Sequence, residues 1–456
     1  MTDYTALSAE LSAIVEEKRV LTGERIGADF GHDELPGAPA HMPDIAVEAL
    51  SAEEIAAVMK LCAERGVPVT VRGAGTGKAG GSVPVNGGVV LSVKGMNRIL
   101  AFDGENKTLT VQPGVLLQDV KAEAAAHGLY YPPDPGEKTA TIGGNAATNA
   151  AGPCAVKYGA TRDYVLAAKV VYPGGETAEL CSGDELEALL GSEGTLGVIA
   201  ELTLKLVDKP ACDAILLLPF MDAESCLKAA ERLAGEDMGL ATIEFLDTEL
   251  VSFSGAVTGN PVFPVKQDGE DVGATLMLTL EGESDDELDE KMEALAELAE
   301  ELECLDILVV DTSTLKREVW EAHDAFHTST ETARSADELN ISLPGAQLSA
   351  LVGYAKELAA NLGLRALVCA HAGSGGVHVY VVSDKPREEF APLMSELAQG
   401  VYGKCAALGG CIRGEYGIGT AKKEAFRDYC ADAYARHCEL KAKLDPKGIM
   451  NPGKLI

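Results

Sequence analysis

The chain has 456 residues and carries 71 Asp and Glu against 38 Lys and Arg, a formal net charge of −33. That surface repels phosphate backbones and anionic lipid, so nucleic acid and membranes are excluded as expected partners. The length exceeds the roughly 250 to 300 residues at which single cores stop growing, so two or more domains are expected.

No run approaches the roughly 20 apolar residues of a bilayer span. The stretch from Met1 to Arg19 reads as an acidic amphipathic helix and lacks the basic head and apolar body of a signal peptide. A cytoplasmic protein without a transmembrane segment is therefore expected. Its eleven cysteines include no Cys-x-x-Cys, which argues against an iron–sulfur cluster or zinc ribbon and favours reduced thiols.

In chain order, residues 1–42 read as an N-terminal helical segment. Ser51 and Glu54 form a capping box, Ile55, Val58, Met59 and Cys62 repeat at helical spacing, and Gly66 ends the helix. Val67 to Val71 reads as a strand that feeds a glycine-dense loop, VTVRGAGTGKAGG. Strand-like pieces follow at Gly88–Val93, Ile99–Phe102 and Thr108–Gln112, then a helix over Leu117–His127. From Thr139 to Gly152 almost nothing is larger than Thr or Asn, and Pro210 marks a boundary. Beyond it lie a strand over Ala214–Phe220, a helix over Ala223–Ala234, a strand over Ala274–Glu281 and an acidic helix over Ser284–Glu303. That order predicts a separate domain built on an antiparallel sheet. Val368–Ala370 and Val377–Val382 read as strands around a glycine turn with His371 and His378 at its ends.

Glycines let main-chain N–H groups approach phosphate oxygens, so the first loop is a candidate anion nest; a plain flexible connection is the alternative. A Rossmann site would need a helix directly after the glycines, but SVPVNGGVVLSV reads as turn and strand. Walker A spacing is absent too. The small-residue stretch admits a flat aromatic ligand, or a close-packed turn. His371 and His378 could share a divalent metal, or be structural.

Together with GSEGTLGVI, KYGATRDYV, YYPPDPGEKTATIGGN, ATIEFLDTE and DPKGIMNPGKL, these phrases run through nearly the whole chain. They resemble the vanillyl-alcohol oxidase superfamily with its p-cresol methylhydroxylase (PCMH) type FAD domain. The nearest likeness is the branch that holds the D subunit of glycolate oxidase and the D-lactate dehydrogenases, including those paired with an electron-transferring flavoprotein. The resemblance implies an α+β architecture: a two-subdomain PCMH-type FAD-binding domain over 43–209, a ferredoxin-like antiparallel-sheet cap over 210–443, and a C-terminal segment, 444–456, returning to the first domain. It implies non-covalent FAD, held by a pyrophosphate loop of Arg72, Gly73, Ala74, Gly75 and Thr76 with Gly80 and Gly81. Pro133, Asp134, Thr141, Gly143, Gly144 and Asn145 would line the flavin, with Glu193, Gly194, Gly197, Ile199 and Asn451 closing around it. It also implies a divalent ion (Zn, Fe or Mn) on His371, His378 and Glu415.

Other positions depart from the family. Its usual His-x-Gly-Asp-Gly-Asn-x-His loop has Ser374 and Gly376 in place of Asp and Asn. The His that normally follows the ligand Glu is Tyr416, and the Arg expected three residues after Trp320 is His323. Tyrosine, with an ordinary pKa of about 10, is a poor base at neutral pH unless a metal assists. The proton acceptor is therefore assigned to Tyr416 or His323, and carboxylate recognition to Arg413. The expected activity is FAD-dependent oxidation of a small 2-hydroxy acid to the 2-oxo acid, with hydride to flavin N5. Electrons would pass to a separate protein, an electron-transferring flavoprotein or an iron–sulfur subunit. The alternatives are a catalytically altered electron-transfer subunit, or an oxidase of a sugar acid or aldonolactone.

Overall fold

The computed structural model describes residues 3–236 and 238–456. The chain forms two compact units, one from Met1–Ala151, Ala160–Lys209 and Glu415–Ile456, the other from Gly152–Gly159 and Pro210–Gly414.

The first unit opens with α1 (Tyr4–Ser12), shorter than the helix expected to Arg19, because the chain turns into β1 (Val20–Thr22). The β-prone Val20, Leu21 and Thr22 pair antiparallel with β2 (Ile45–Glu48), so residues 1–42 are not a helical segment apart. Helix α2 (Ala52–Arg65) follows its sequence signals closely. The Ser51 hydroxyl accepts the Glu54 N–H, and Gly66 caps the other end with φ +63°. Ile55, Val58, Met59 and Cys62 are buried against β2 and its neighbours. Next come β3 (Val69–Arg72) and β4 (Val89–Ser92), completing a mixed sheet in the order β1-β2-β4-β3 with β2 and β3 parallel to β4. The glycine-dense loop joins β3 to β4 without a helix, as expected.

A second, wholly antiparallel sheet contains β5 (Ile99–Asp103), β6 (Thr108–Val111), β7 (Val165–Val171), β8 (Thr177–Leu180) and β9 (Val198–Lys205), in the order β5-β6-β9-β7-β8. Between β6 and β7 lie α3 (Leu117–Ala126) and α4 (Ile142–Thr148). The small-residue stretch is thus a short helix, and close packing explains part of its composition. A Cβ on Gly143 would lie 2.5 Å from Pro113 Cβ and 2.9 Å from its carbonyl oxygen.

The second unit is built on one antiparallel sheet of seven strands. They are β10 (Cys212–Phe220), β11 (Leu240–Asp247), β12 (Ala274–Gly282), β13 (Leu308–Val310), β14 (Ser335–Ser342), β15 (Arg365–His371) and β16 (Gly376–Ser383), in the order β13-β10-β12-β11-β15-β16-β14. Among its helices, α5 (Ala223–Ala234) is capped by Asp222, α6 (Asp285–Glu301) by Ser284 and α7 (Ser313–Thr330) by Thr312. Helix α6 buries Leu288, Leu295 and Ala299 and exposes its acids. Val319, Ala322 and Phe326 of α7 pack with Leu367, Cys369 and Tyr380, covering one face of the sheet. The second unit takes up the chain at Pro210, and the chain returns to the first unit at Glu415 rather than at residue 444, so 415–443 belong to the first unit.

Candidate functional site

In the first unit, Arg72 ends β3 buried beneath the glycine loop, its Nη1 donating to the His32 carbonyl at 2.8 Å and the Ser82 hydroxyl at 3.3 Å. Burial pushes its guanidinium down, opposed by Asp29 and Asp33. Among the described residues, no N–H from Gly73 to Ala79 donates to a main-chain carbonyl. Among the described residues, no heavy atom beyond the chain neighbours lies within 4 Å of a Cβ position on Gly81.

Thr141 stands against Gly73, at the N-terminus of α4. Asn145, on the first turns of that helix, is buried with an unpartnered Nδ2. Glu193 has φ +55° and a carboxylate that accepts the Ile418 N–H at 2.8 Å and the Gly419 N–H at 2.7 Å. Asn451 Nδ2 donates to the carbonyls of Gly81 (3.0 Å) and Glu193 (2.7 Å). Gly194 lies beside Asn451 and Val71. One side chain from the C-terminus therefore ties the glycine loop to the Glu193 turn. Gly197 is pressed onto Val170 and Val171, a packing role, and Ile199 and Pro133 are buried. Asp134 pairs with Lys121 at 3.0 Å. Tyr416 is half-buried, with the Lys78 ammonium 5.2 Å from its ring centre.

Lys454 carries no signal in the sequence that marks it out. It is fully buried, donating to Asn451 Oδ1 and to Thr70 Oγ1. Burial holds its amine at about 7, with Asp33 opposing that shift and Lys441 adding to it.

In the second unit, strand register assembles a polar row. Glu244 on β11 is the cross-strand partner of His371 on β15. His378 on β16 pairs with Cys369, two residues from His371, and with Asn340 on β14, two residues from Glu338. Side chains alternate along a strand, so all four project from one face. The order across four adjacent strands is Glu244, His371, His378, Glu338. His371 Nδ1 lies 2.7 Å from Glu244 Oε2, His378 Nδ1 lies 2.8 Å from Glu338 Oε1, and the two Nε2 atoms face each other at 3.3 Å.

Helix α7 lies over this row and adds two histidines one turn apart. His323 Nε2 is 3.2 Å from Glu244 Oε2, and His327 Nδ1 is 3.0 Å from Glu338 Oε2. Burial alone would raise the Glu244 carboxyl, but His371 and His323 overcome it and hold the group at about 2. Burial pushes the His323 imidazole down, yet Asp324 and Glu244 leave it above its ordinary value. Arg413 is half-buried in the segment that follows Cys411, which bridges to Ser342 at the end of β14.

Two family models match the chain: an FAD binding domain over residues 43–180, and the C-terminal domain of FAD linked oxidases over residues 209–455. The chain belongs to the FAD-linked oxidases. It is 40% identical over 452 residues to a D-lactate dehydrogenase of Anaerostipes hadrus, covering 97% of this chain and 95% of the relative. It is 32% identical to glycolate oxidase subunit GlcD of Bacillus subtilis, covering 94% and 92% of the two chains. The structure of p-cresol methylhydroxylase with substrate bound superposes with a TM-score of 0.81 at 17% identity, over 100% of this chain and 97% of that one. The PCMH-type fold expected from sequence is present.

As an FAD-linked oxidase, the protein offers the cofactor a fitting cradle. The N–H groups of Gly73 to Ala79, unspent on main-chain carbonyls, are donors for a diphosphate, and the space at Gly81 admits it. The Asn145 Nδ2 is a buried donor with no acceptor among the described residues, as expected where a ligand supplies one. No helix among the described residues is long and apolar enough to cross a membrane.

The residues missed from sequence are Glu244, Glu338, His327 and Lys454. A charged residue inside the apolar strand LATIEFLD, and two histidines four apart in AHDAFHT, were the available signals.

Proposed function

We propose that the protein oxidises a small 2-hydroxy acid, D-lactate- or glycolate-like, to the 2-oxo acid, and passes the electrons to a separate protein acceptor. The observation that carries this reading is the 40% identity to a D-lactate dehydrogenase across 97% of the chain. FAD, when bound, accepts the hydride at N5.

The chain's own residues supply the rest. Arg413 binds the substrate carboxylate through its planar fork of donors. Tyr416 is the proton acceptor for the hydroxyl, because both ring nitrogens of His323, the other candidate, face carboxylates: Nε2 lies 3.2 Å from Glu244 and Nδ1 3.8 Å from Asp324. His323 is then a positioning group.

The same reading puts a divalent ion on His371, His378 and Glu415. Both histidines present Nδ1 to a carboxylate and turn Nε2 toward the other ring, the two Nε2 atoms standing 3.3 Å apart. Those two nitrogens would hold a divalent ion, for which imidazole is a common ligand. Glu415 follows directly on Gly414, which packs against Asn340, the strand partner of His378. An ion there would polarise the substrate hydroxyl.

Anaerobic mixing of the flavin-loaded protein with D-lactate, glycolate and D-2-hydroxyglutarate tests the reading. Bleaching of the flavin band near about 450 nm by at least one of them is expected. A flavin that stays oxidised with all three, yet is bleached by an aldonolactone or sugar acid, refutes the substrate class.

A further inference from the structure

We propose that Glu244 and Glu338 are positioning residues that set the tautomers of His371 and His378, so that both Nε2 lone pairs converge on one divalent cation. The proposal rests on the cation reading above and goes beyond it, because neither carboxylate belongs to the ligand set.

The geometry is specific. Each carboxylate sits at one end of a four-strand row, and each approaches Nδ1 rather than Nε2 of its histidine, at 2.7 and 2.8 Å. A carboxylate at that distance takes the Nδ1 proton as a hydrogen bond and makes Nε2 the unprotonated nitrogen, the one able to ligate a metal. One such contact could be incidental. Two, on opposite sides of a facing Nε2 pair, orient both rings toward the same point.

The carboxylates are themselves held. Glu244 is fully buried on β11 and also meets His323, while Glu338 also meets His327. His323 and His327 are one helical turn apart on α7, so one helix face braces both ends of the row. The arrangement is a pair of His–Glu–His relays side by side. Ser374 in the intervening turn donates to the His371 carbonyl at 3.3 Å, and the turn gives the rings no acid of its own.

The test uses the FAD-loaded protein, stripped with a chelator and titrated with Zn²⁺ against a chromophoric competitor. Co²⁺ loading then reads the ligand field at wavelengths beyond the flavin band. Wild type should take one ion per chain, and His371→Ala none. Glu244→Gln and Glu338→Gln should keep their FAD but bind Zn²⁺ about 10 to 100 times more weakly, with an altered Co²⁺ spectrum. A merely structural role would lower thermal stability and leave affinity and spectrum unchanged. If a glutamine variant fails to retain FAD, Glu244→Asp or Glu338→Asp carries the test, since it keeps the charge and withdraws the oxygen from Nδ1. A weakening of about 10-fold is expected there, and unchanged affinity overturns the proposal. Wild-type affinity in both glutamine variants, with His371→Ala inactive in binding, overturns the positioning role and leaves the cation site intact. A wild type that binds no divalent ion overturns both.

Discussion

Lys454 offers a measurement with a defined sign. Its amine is fully buried, donates to Asn451 and Thr70, and is held at about 7 against an ordinary 10.5, chiefly by loss of water. The folded state therefore binds this proton more weakly than the unfolded chain. The resulting penalty is fully present below pH 7 and is relieved as pH rises toward 10.5. At about 1.4 kcal/mol per pH unit the whole gap is worth about 5 kcal/mol, and the part between pH 7 and 9.5 about 3 kcal/mol. Lys454→Met removes the titration while keeping most of the volume. Its loss of two hydrogen bonds adds an offset that does not vary with pH. Calorimetric melting of wild type and variant in matched buffers isolates the effect, because the other titrations are common to both. Relative to the variant, wild type should gain about 3 kcal/mol between pH 7 and 9.5, about 6 to 12 °C in Tm at about 2 to 4 °C per kcal/mol. Two parallel curves would refute the depressed amine.

Three further outcomes follow from the sites. Glu193→Gln places an amide NH₂ against one of two main-chain N–H donors, losing about 2 to 4 kcal/mol, and the desalted variant should carry little FAD by its visible spectrum. Gly143→Ala drives a Cβ into the backbone at Pro113; a loss of about 1 to 3 kcal/mol is expected in denaturant unfolding, with weaker FAD retention measured by ultrafiltration. Arg413→Gln should raise KM for the 2-hydroxy acid about 10- to 100-fold in steady-state assays with an artificial acceptor, and leave FAD content unchanged.

Much of the fold was legible where local signals and tertiary packing agree. Ser51, Glu54 and Gly66 bound α2 as their capping chemistry requires, and the β-branched runs around His371 and His378 become the adjoining strands β15 and β16. The cofactor loop was legible only through the family resemblance, because a strand leading into glycines without a following helix also reads as a flexible connection. The N-terminal segment was not, because Val20 to Thr22 has a strand partner in β2 that no local window contains. Glu244 was illegible for the same reason at longer range. Its meaning depends on pairing with a histidine 127 residues away, and a lone acid in an apolar strand does not name its partner. Lys454 looks like an ordinary C-terminal lysine until the fold removes its water.

The departures from the family pattern and the polar row are connected. A histidine loop that carries its own Asp and Asn can steer its rings from within the turn. Here Ser374 and Gly376 cannot, and the turn is kept small by its surroundings: Gly375 has φ +86°, and a Cβ there would stand 1.8 Å from the Leu343 carbonyl oxygen. Orientation of the rings must then come from outside the loop, and the acids that touch their Nδ1 atoms are Glu244 and Glu338. The His323 that stands where an Arg is usual fits the same logic. An arginine would compete for Glu244 as a permanent cation with a bidentate fork, drawing the carboxylate away from His371. An imidazole makes one hydrogen bond and leaves Glu244 on its ligand. His323→Arg should therefore weaken Zn²⁺ binding more than His323→Asn does. The opposite order would mean that the histidine is a neutral replacement and the row is not the source of orientation.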